Sequence, residues 1–293
     1  MTIKFNVPKF NKPVRLDNVV RSQYPNWGRN AVQSTIEAGN VKVNGKKVSR
    51  CSWKVRANDL VEMLDPPAEK PTQPSMFDDS WIIANDSALL AIDKPEGLLS
   101  EPTGHGQREN LLDLTIARFG AVNLFHRLDR DTSGVLLFTL PGKQQHALNQ
   151  YLDRAFKART VQKEYVALAQ MPNKLEESGE INAWIGSHPD RRDMMAVTTR
   201  GGKLALTKYE IERERDMVQR VRLWPQTGRT HQLRVHMQYM DAPILGDRLY
   251  NKHTINIKNG STRLMLHARH ITLPAEGSFP LQTFSAPAPA NFA

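Results

Sequence analysis

Residues 125–138 read FHRLDRDTSGVLLF. His126, Arg127, Asp129, Arg130 and Asp131 fall within six consecutive positions. Thr132-Ser133-Gly134 is a turn signal, and Val135 to Phe138 form the short apolar run of a buried strand. A charged segment that turns directly into a strand is either a solvated turn or a way of holding one carboxylate half-buried for chemistry. Asp129 precedes the turn. Asp131 is placed to accept from the backbone of Ser133 or Gly134 as an Asx turn. One of the two aspartates is structural on this reading, and the sequence leaves open which.

The elements around this stretch set the fold class. WIIANDSALLAIDKP reads as a hairpin turning at Asn85-Asp86, and NLLDLTIARFG as a helix capped by Asn110 and stopped by Gly120. HALNQYLDRAF puts Leu148, Tyr151, Leu152, Ala155 and Phe156 on one helical face. KEYVALAQM, LALTKYEIE, QRVRLWP and RLMLHARHITL read as strands, THQLRVHMQYM as a helix, and the closing SAPAPANFA as a loose tail. Strands and helices do not alternate, which argues against a parallel βαβ fold. The expected class is α+β, with a mixed, mostly antiparallel sheet over about residues 77–290.

DPPAEKPTQPSM, residues 65–76, contains four prolines and no apolar periodicity, and reads as a semi-rigid linker. Before it, about residues 13–64 form a smaller unit. Leu16, Val19 and Val20 lie at helical spacing; GRNAVQSTIEAGN reads as a second helix with Asn30 as cap and Gly39 as stop. VKVNGKKV is a hairpin turning at Asn44-Gly45, and DLVEML is a further strand.

Residues 1–64 carry twelve Lys or Arg against four Asp or Glu, so almost all of the chain's net charge of +10 sits there. A strongly basic small unit joined to a nearly neutral one suggests a module that docks on a polyanion, nucleic acid first among them. No run of about 18 apolar residues suggests a membrane span, and MTIKFNVPKF has no signal-peptide apolar region. The lone Cys51 cannot make an internal disulfide, so a reducing, cytoplasmic setting is expected.

Three stretches hold most of the polar residues that look placed: HRLDRDTSG, KEYVALA, and TGRTHQLRVHM with DAPILGDRLY. His231 and His236 are five apart, which is not the i, i+4 spacing of a helical zinc pair. His267 and His270 would face opposite sides of a strand. No metal is expected. His-Arg-Asp also occurs in kinase catalytic loops, but neither a glycine-rich phosphate loop nor Asp-Phe-Gly accompanies it. An arginine near a buried aspartate keeps the carboxylate ionised, and a strand tyrosine is a core residue or a platform for a base.

Taken in order, DKPEGLL (93–99), HRLDRDTSG, KEYVA, TGRTHQLRVHM, PILGDRLY and LMLHA resemble the motifs of the RluA-type RNA pseudouridine synthases, over about residues 81–290. The basic unit, through RLD at 15–17, Arg29, Ile36, Gly39 and VKVNGKKV, resembles the αL RNA-binding module shared with the fourth protein of the small ribosomal subunit. The resemblance implies that Asp129 is the catalytic aspartate, that Tyr165 packs against the target uracil, and that Arg234 pairs with Asp129. It further implies that Arg127 fills the gap left by the flipped base, and that Lys94, Pro95 and Asp131 are structural. Arg21, Arg29, Lys42, Lys46 and Lys47 are the implied RNA contacts of the basic unit.

No cofactor is implied, because the reaction breaks one bond to ribose and makes another. The implied partner is RNA: large-subunit ribosomal RNA first, transfer RNA as the alternative. A catalytically silent RNA-binding ribosome assembly factor is the reading from a different class. A monomer is expected.

Overall fold

A computed structural model describes residues 2–10, 12–24, 29–64, 76–86, 88–102, 109–170, 176–191, 193–215, 218–251 and 263–292. Residues 65–75, nearly all of the expected linker, lie outside the described residues. The chain separates into two compact units, dividing between residues 73 and 74.

The first unit contains β1 (Thr2–Asn6), β2 (Val14–Arg15), α1 (Leu16–Gln23), α2 (Arg29–Glu37), β3 (Val41–Val43), β4 (Lys46–Val48), β5 (Lys54–Val55) and β6 (Leu60–Leu64). Its sheet runs β1-β6-β3-β4, and β2 pairs with β5. Asn44 and Gly45 both take positive φ, 50° and 79°, as the two-residue turn of a twisted hairpin requires. α2 ends as expected: Gly39 is left-handed at φ 74°, its N–H donates to Ile36 O, and Asn40 N–H donates back to Thr35 O. At the other end α2 already includes Asn30, the residue expected to cap it. Leu16, Val19, Val20, Val32 and Ile36 of the helices bury against Val41, Val61 and Met63 of the sheet. β1 was not foreseen. It pairs along the whole of β6, from Thr2↔Leu64 to Asn6↔Leu60, so the unit starts before the expected residue 13.

The second unit contains β7 (Ile82–Asn85), β8 (Leu89–Lys94), α3 (Leu111–Phe119), β9 (Asn123–Leu124), β10 (Ser133–Thr139), α4 (Gln145–Ala158), β11 (Gln162–Gln170), β12 (Ser178–Ser187), β13 (Met195–Val197), β14 (Lys203–Arg215), β15 (Val218–Pro225), α5 (Gln232–Tyr239), β16 (Leu266–Leu273) and β17 (Gln282–Ser285). The main path of its sheet is β13-β12-β14-β15-β11-β16-β10-β8-β7, with β17 added to β16 and β9 to β10. Among the described strands only β10 and β16 run parallel; the rest of the sheet is antiparallel, which is the expected mixed, mostly antiparallel class. α3 begins at Asn110, whose side chain accepts from Asp113 N–H, and stops at Gly120 with φ 85°.

β10 is buried at every residue, as its apolar run predicts. Gly134 lets β10 approach β16: a Cβ there would sit 2.2 Å from Ala268 O. The C-terminal segment is not loose. Phe292 is buried, its ring lies 6.1 Å from that of His267, and its carbonyl accepts from Arg220 Nη1. Prolines remove the periodicity by which an ordered segment is recognised, yet one aromatic at the end is enough to dock it.

Candidate active site

The loop carrying Asp129 is fixed on both sides. Ser100 Oγ accepts from Leu128 N–H at 3.0 Å and donates to Leu128 O at 2.8 Å. The fully buried Lys94 donates from Nζ to Pro95 O and Leu98 O, both at 2.8 Å, and to Arg130 O at 3.0 Å. Burial draws its ammonium down to about 7, against the attraction of Asp131 and Asp129. Three carbonyls occupy three ammonium protons, and a neutral amine would leave one of them unmatched. Thr132 N–H closes the turn on Asp129 O. The backbone is therefore held at residues 128 and 130, leaving the Asp129 side chain to project between them, about one quarter exposed.

Asp129 Oδ2 accepts from Arg234 Nη1 at 3.2 Å, the pair that the resemblance implies. The arginine, however, is anchored elsewhere. Its Nε and Nη2 donate to Asp247 Oδ2 and Oδ1 at 2.7 and 2.8 Å, a bidentate pair with Asp247 wholly buried. Asp247 Oδ1 also accepts from the N–H groups of Leu249 and Tyr250. Gly246 at φ 72° permits this turn, because a Cβ would collide with Arg263 O. Burial opposes the charge on Arg234, but Asp247 and then Asp129 more than offset it and keep the guanidinium protonated. The Tyr250 ring lies under that guanidinium, 5.0 Å away.

His231 Nε2 stands 3.8 Å from the same Asp129 oxygen. Tyr165 lies on β11, where the register with β16 shifts by a bulge between Glu164 and Tyr165. A bulge re-aims a side chain. Burial and the charge of Asp129 push the Tyr165 hydroxyl well above its ordinary range, so it is a neutral phenol.

Arg127 is not part of this cluster. It is exposed and pairs with Glu101 at 2.9 Å, a surface contact worth little and easily given up. Asp131 makes no Asx turn; Arg130 grips it through two bonds of 2.8 and 2.9 Å. Among the described residues no group of three or more His, Cys, Asp or Glu could hold a metal ion. Asp247, His231 and Tyr250 are residues that sequence reasoning left unassigned. Their signal was present in THQLR and ILGDRLY, but no local spacing ties those stretches to Asp129.

In the first unit, Arg21, Lys46 and Lys47 are exposed and Lys42 is half-buried. The side chain of Arg29 lies outside the described residues. Lys42 and Lys47 are direct cross-strand partners, and Lys42 also faces Glu62, which pairs with Lys4. Lys46 sits 5.8 Å over the Trp53 ring.

The family model for RNA pseudouridylate synthases matches residues 88–239, about half of the chain, including Asp129, Tyr165 and Arg234. The chain belongs to this family. It is an RNA pseudouridine synthase, an isomerase, preceded by a match to the S4 domain over residues 14–61. It is 30% identical over 280 residues to the ribosomal large subunit pseudouridine synthase D of Yersinia pestis, covering 88% of this chain and 82% of that one. The protein of the same name from Haemophilus ducreyi is likewise 30% identical, covering 95% and 88%. Among solved structures, human RNA pseudouridylate synthase domain containing 1 is 27% identical with a TM-score of 0.59, covering 70% of this chain and 82% of its own. Among the described residues no helix is long and apolar enough to cross a membrane.

Proposed function

We propose that this synthase converts uridine to pseudouridine in large-subunit ribosomal RNA, working in the cytoplasm as a monomer with Asp129 as its reacting carboxylate. In the reaction the bond from ribose C1′ to uracil N1 breaks, the uracil turns, and C1′ rejoins through C5. The C5 proton leaves and N1 gains one, so nothing is oxidised and no group is imported. The observation that carries the reading is the asymmetry of Asp129. Oδ2 faces Arg234 and His231, while among the described residues no donor falls on Oδ1. An oxygen free of donors is what a nucleophile at C1′ needs, and equally what a base for a ribose proton needs. Both routes start from the same atom.

The target base must leave its stack, at a cost of a few kcal/mol. Tyr165 offsets part of it by stacking on the uracil, and Arg127 by leaving Glu101 to fill the vacancy. The first unit supplies affinity. Like charges opposite one another, as Lys42 and Lys47 are, disfavour the free sheet and favour a bound polyanion. Lys46 lies on the same hairpin, and Arg21 and Arg29 are the further RNA contacts of this reading. The ribosomal target rests on the names of the bacterial relatives. The test is pseudouridine mapping, by carbodiimide labelling and reverse transcription, of total RNA from cells with and without this gene. Loss of stops in large-subunit ribosomal RNA is expected. Loss confined to transfer RNA would overturn the target, and no loss anywhere would overturn the activity.

A further inference from the structure

We propose that His231 is a positioning residue of the reaction: Tyr250 fixes its ring so that Nε2–H faces Asp129 Oδ2 and leaves Oδ1 to the substrate. The inference rests on the role proposed for Asp129. It begins from a backbone anomaly. His231 immediately precedes α5 yet takes φ 55° and ψ 20°, the left-handed region that non-glycine residues avoid. Its side chain makes no capping hydrogen bond to the helix, so a helix-starting role does not account for the conformation. Strain of this kind persists where its surroundings impose it, and it concentrates at functional sites.

The surroundings are specific. His231 Nδ1 lies 2.7 Å from the Tyr250 hydroxyl, and the two rings meet edge to face at 5.6 Å and 82°. The Tyr250 oxygen also accepts from Met195 N–H at 2.8 Å. In the proposed arrangement that donor fills the oxygen's acceptor site and the phenol proton points to Nδ1. The imidazole then carries its own proton on Nε2, the nitrogen 3.8 Å from Asp129 Oδ2. That separation is too long for a direct hydrogen bond, so the ring faces the carboxylate at rest without bonding to it. Burial lowers the His231 imidazole, in line with the neutral ring this arrangement needs. Tyr250 is tied into the same cluster from its other side, since its ring supports the Arg234 guanidinium. One tyrosine thus sets both groups that face Oδ2.

Two substitutions separate this role from a structural one. Asn at 231 tolerates the left-handed backbone and can reproduce only the acceptor at the Nδ1 position. Gln is worse for the backbone but can place an amide donor where Nε2 stands. The assay is tritium release from carbon 5 of uridine in the ribosomal RNA transcript that the wild-type full-length chain modifies. His231→Gln is expected to keep kcat within about tenfold of wild type, and His231→Asn to lose about 100-fold, both with KM unchanged. A backbone role reverses that order, so Asn equal to or better than Gln overturns the proposal. If neither variant folds, Tyr250→Phe decides: a fall in kcat of about tenfold at constant KM supports it, and wild-type kcat overturns it. Asp129→Asn runs alongside. An active Asp129→Asn removes the site reading itself, whereas an inactive one beside wild-type His231→Asn removes this inference alone.

Discussion

The two units treat charge in opposite ways. Around Asp129 nearly every charge has a partner inside the fold: Arg234 with Asp247, Arg130 with Asp131, and Lys94 with three carbonyls. In the first unit Lys42 lies between Lys47 and Glu62, which already pairs with Lys4, and Arg21, Lys46 and Lys47 are exposed. A catalytic site must be organised before the substrate arrives, because reorganising dipoles during the reaction adds to the barrier. A docking surface gains by remaining incomplete, since phosphate then supplies the missing counter-charge.

Asp247→Ala tests the contrast most strongly. It leaves Arg234 buried without its bidentate partner, and the expected loss is about 3–5 kcal/mol of stability, measured by urea unfolding of the catalytic unit's transition. An effect below 1 kcal/mol would mean that the guanidinium is not organised by this pair.

Acid comes next. Burial pushes His236 and His267 down to about 4. Below pH 6.5 the unfolded chain takes up protons that the folded chain refuses, so stability falls with pH and levels off near 4. At about 1.4 kcal/mol for each pKa unit, each histidine contributes on the order of 3 kcal/mol across that window. Unfolding free energies that stay flat from pH 6.5 to 4.5 would contradict the burial of these rings.

The smallest effect on folding, and the clearest on binding, belongs to Lys42 and Lys47. Replacing either by Ala is expected to leave stability within about 0.5 kcal/mol or to raise it slightly. Each replacement should also reduce the salt slope of RNA binding by about 1. An unchanged slope would remove that surface from the interface.

What the sequence made legible was local. The Asn44-Gly45 turn, the Asn110 cap, the Gly39 and Gly120 stops and the run into β10 each depend on a few adjacent residues. β1 was missed although its five residues alternate polar and apolar: only Ile3 and Phe5 mark its inner face, and its pairing partner lies some sixty residues away. β12 was missed because small residues dilute its inward row of Ile181, Ala183 and Ile185. Asp129, Tyr165 and Arg234 were named through resemblance. The anchoring of Arg234 by Asp247 was not, since the pair forms only when the turn at Gly246 meets α5. The Asx turn anticipated at Asp131 fails for a local reason that the sequence did contain: Arg130, one residue earlier, offers a stronger, charge-assisted partner.

The account stands most directly on one substitution. Asp129→Asn keeps the size of the side chain and an acceptor for Arg234, and removes the carboxylate. Tritium release from uridine C5 and affinity for the same RNA should be measured together on the full-length chain. The account expects turnover to vanish while affinity stays near that of the wild type. Turnover close to wild type would contradict it, whatever the affinity.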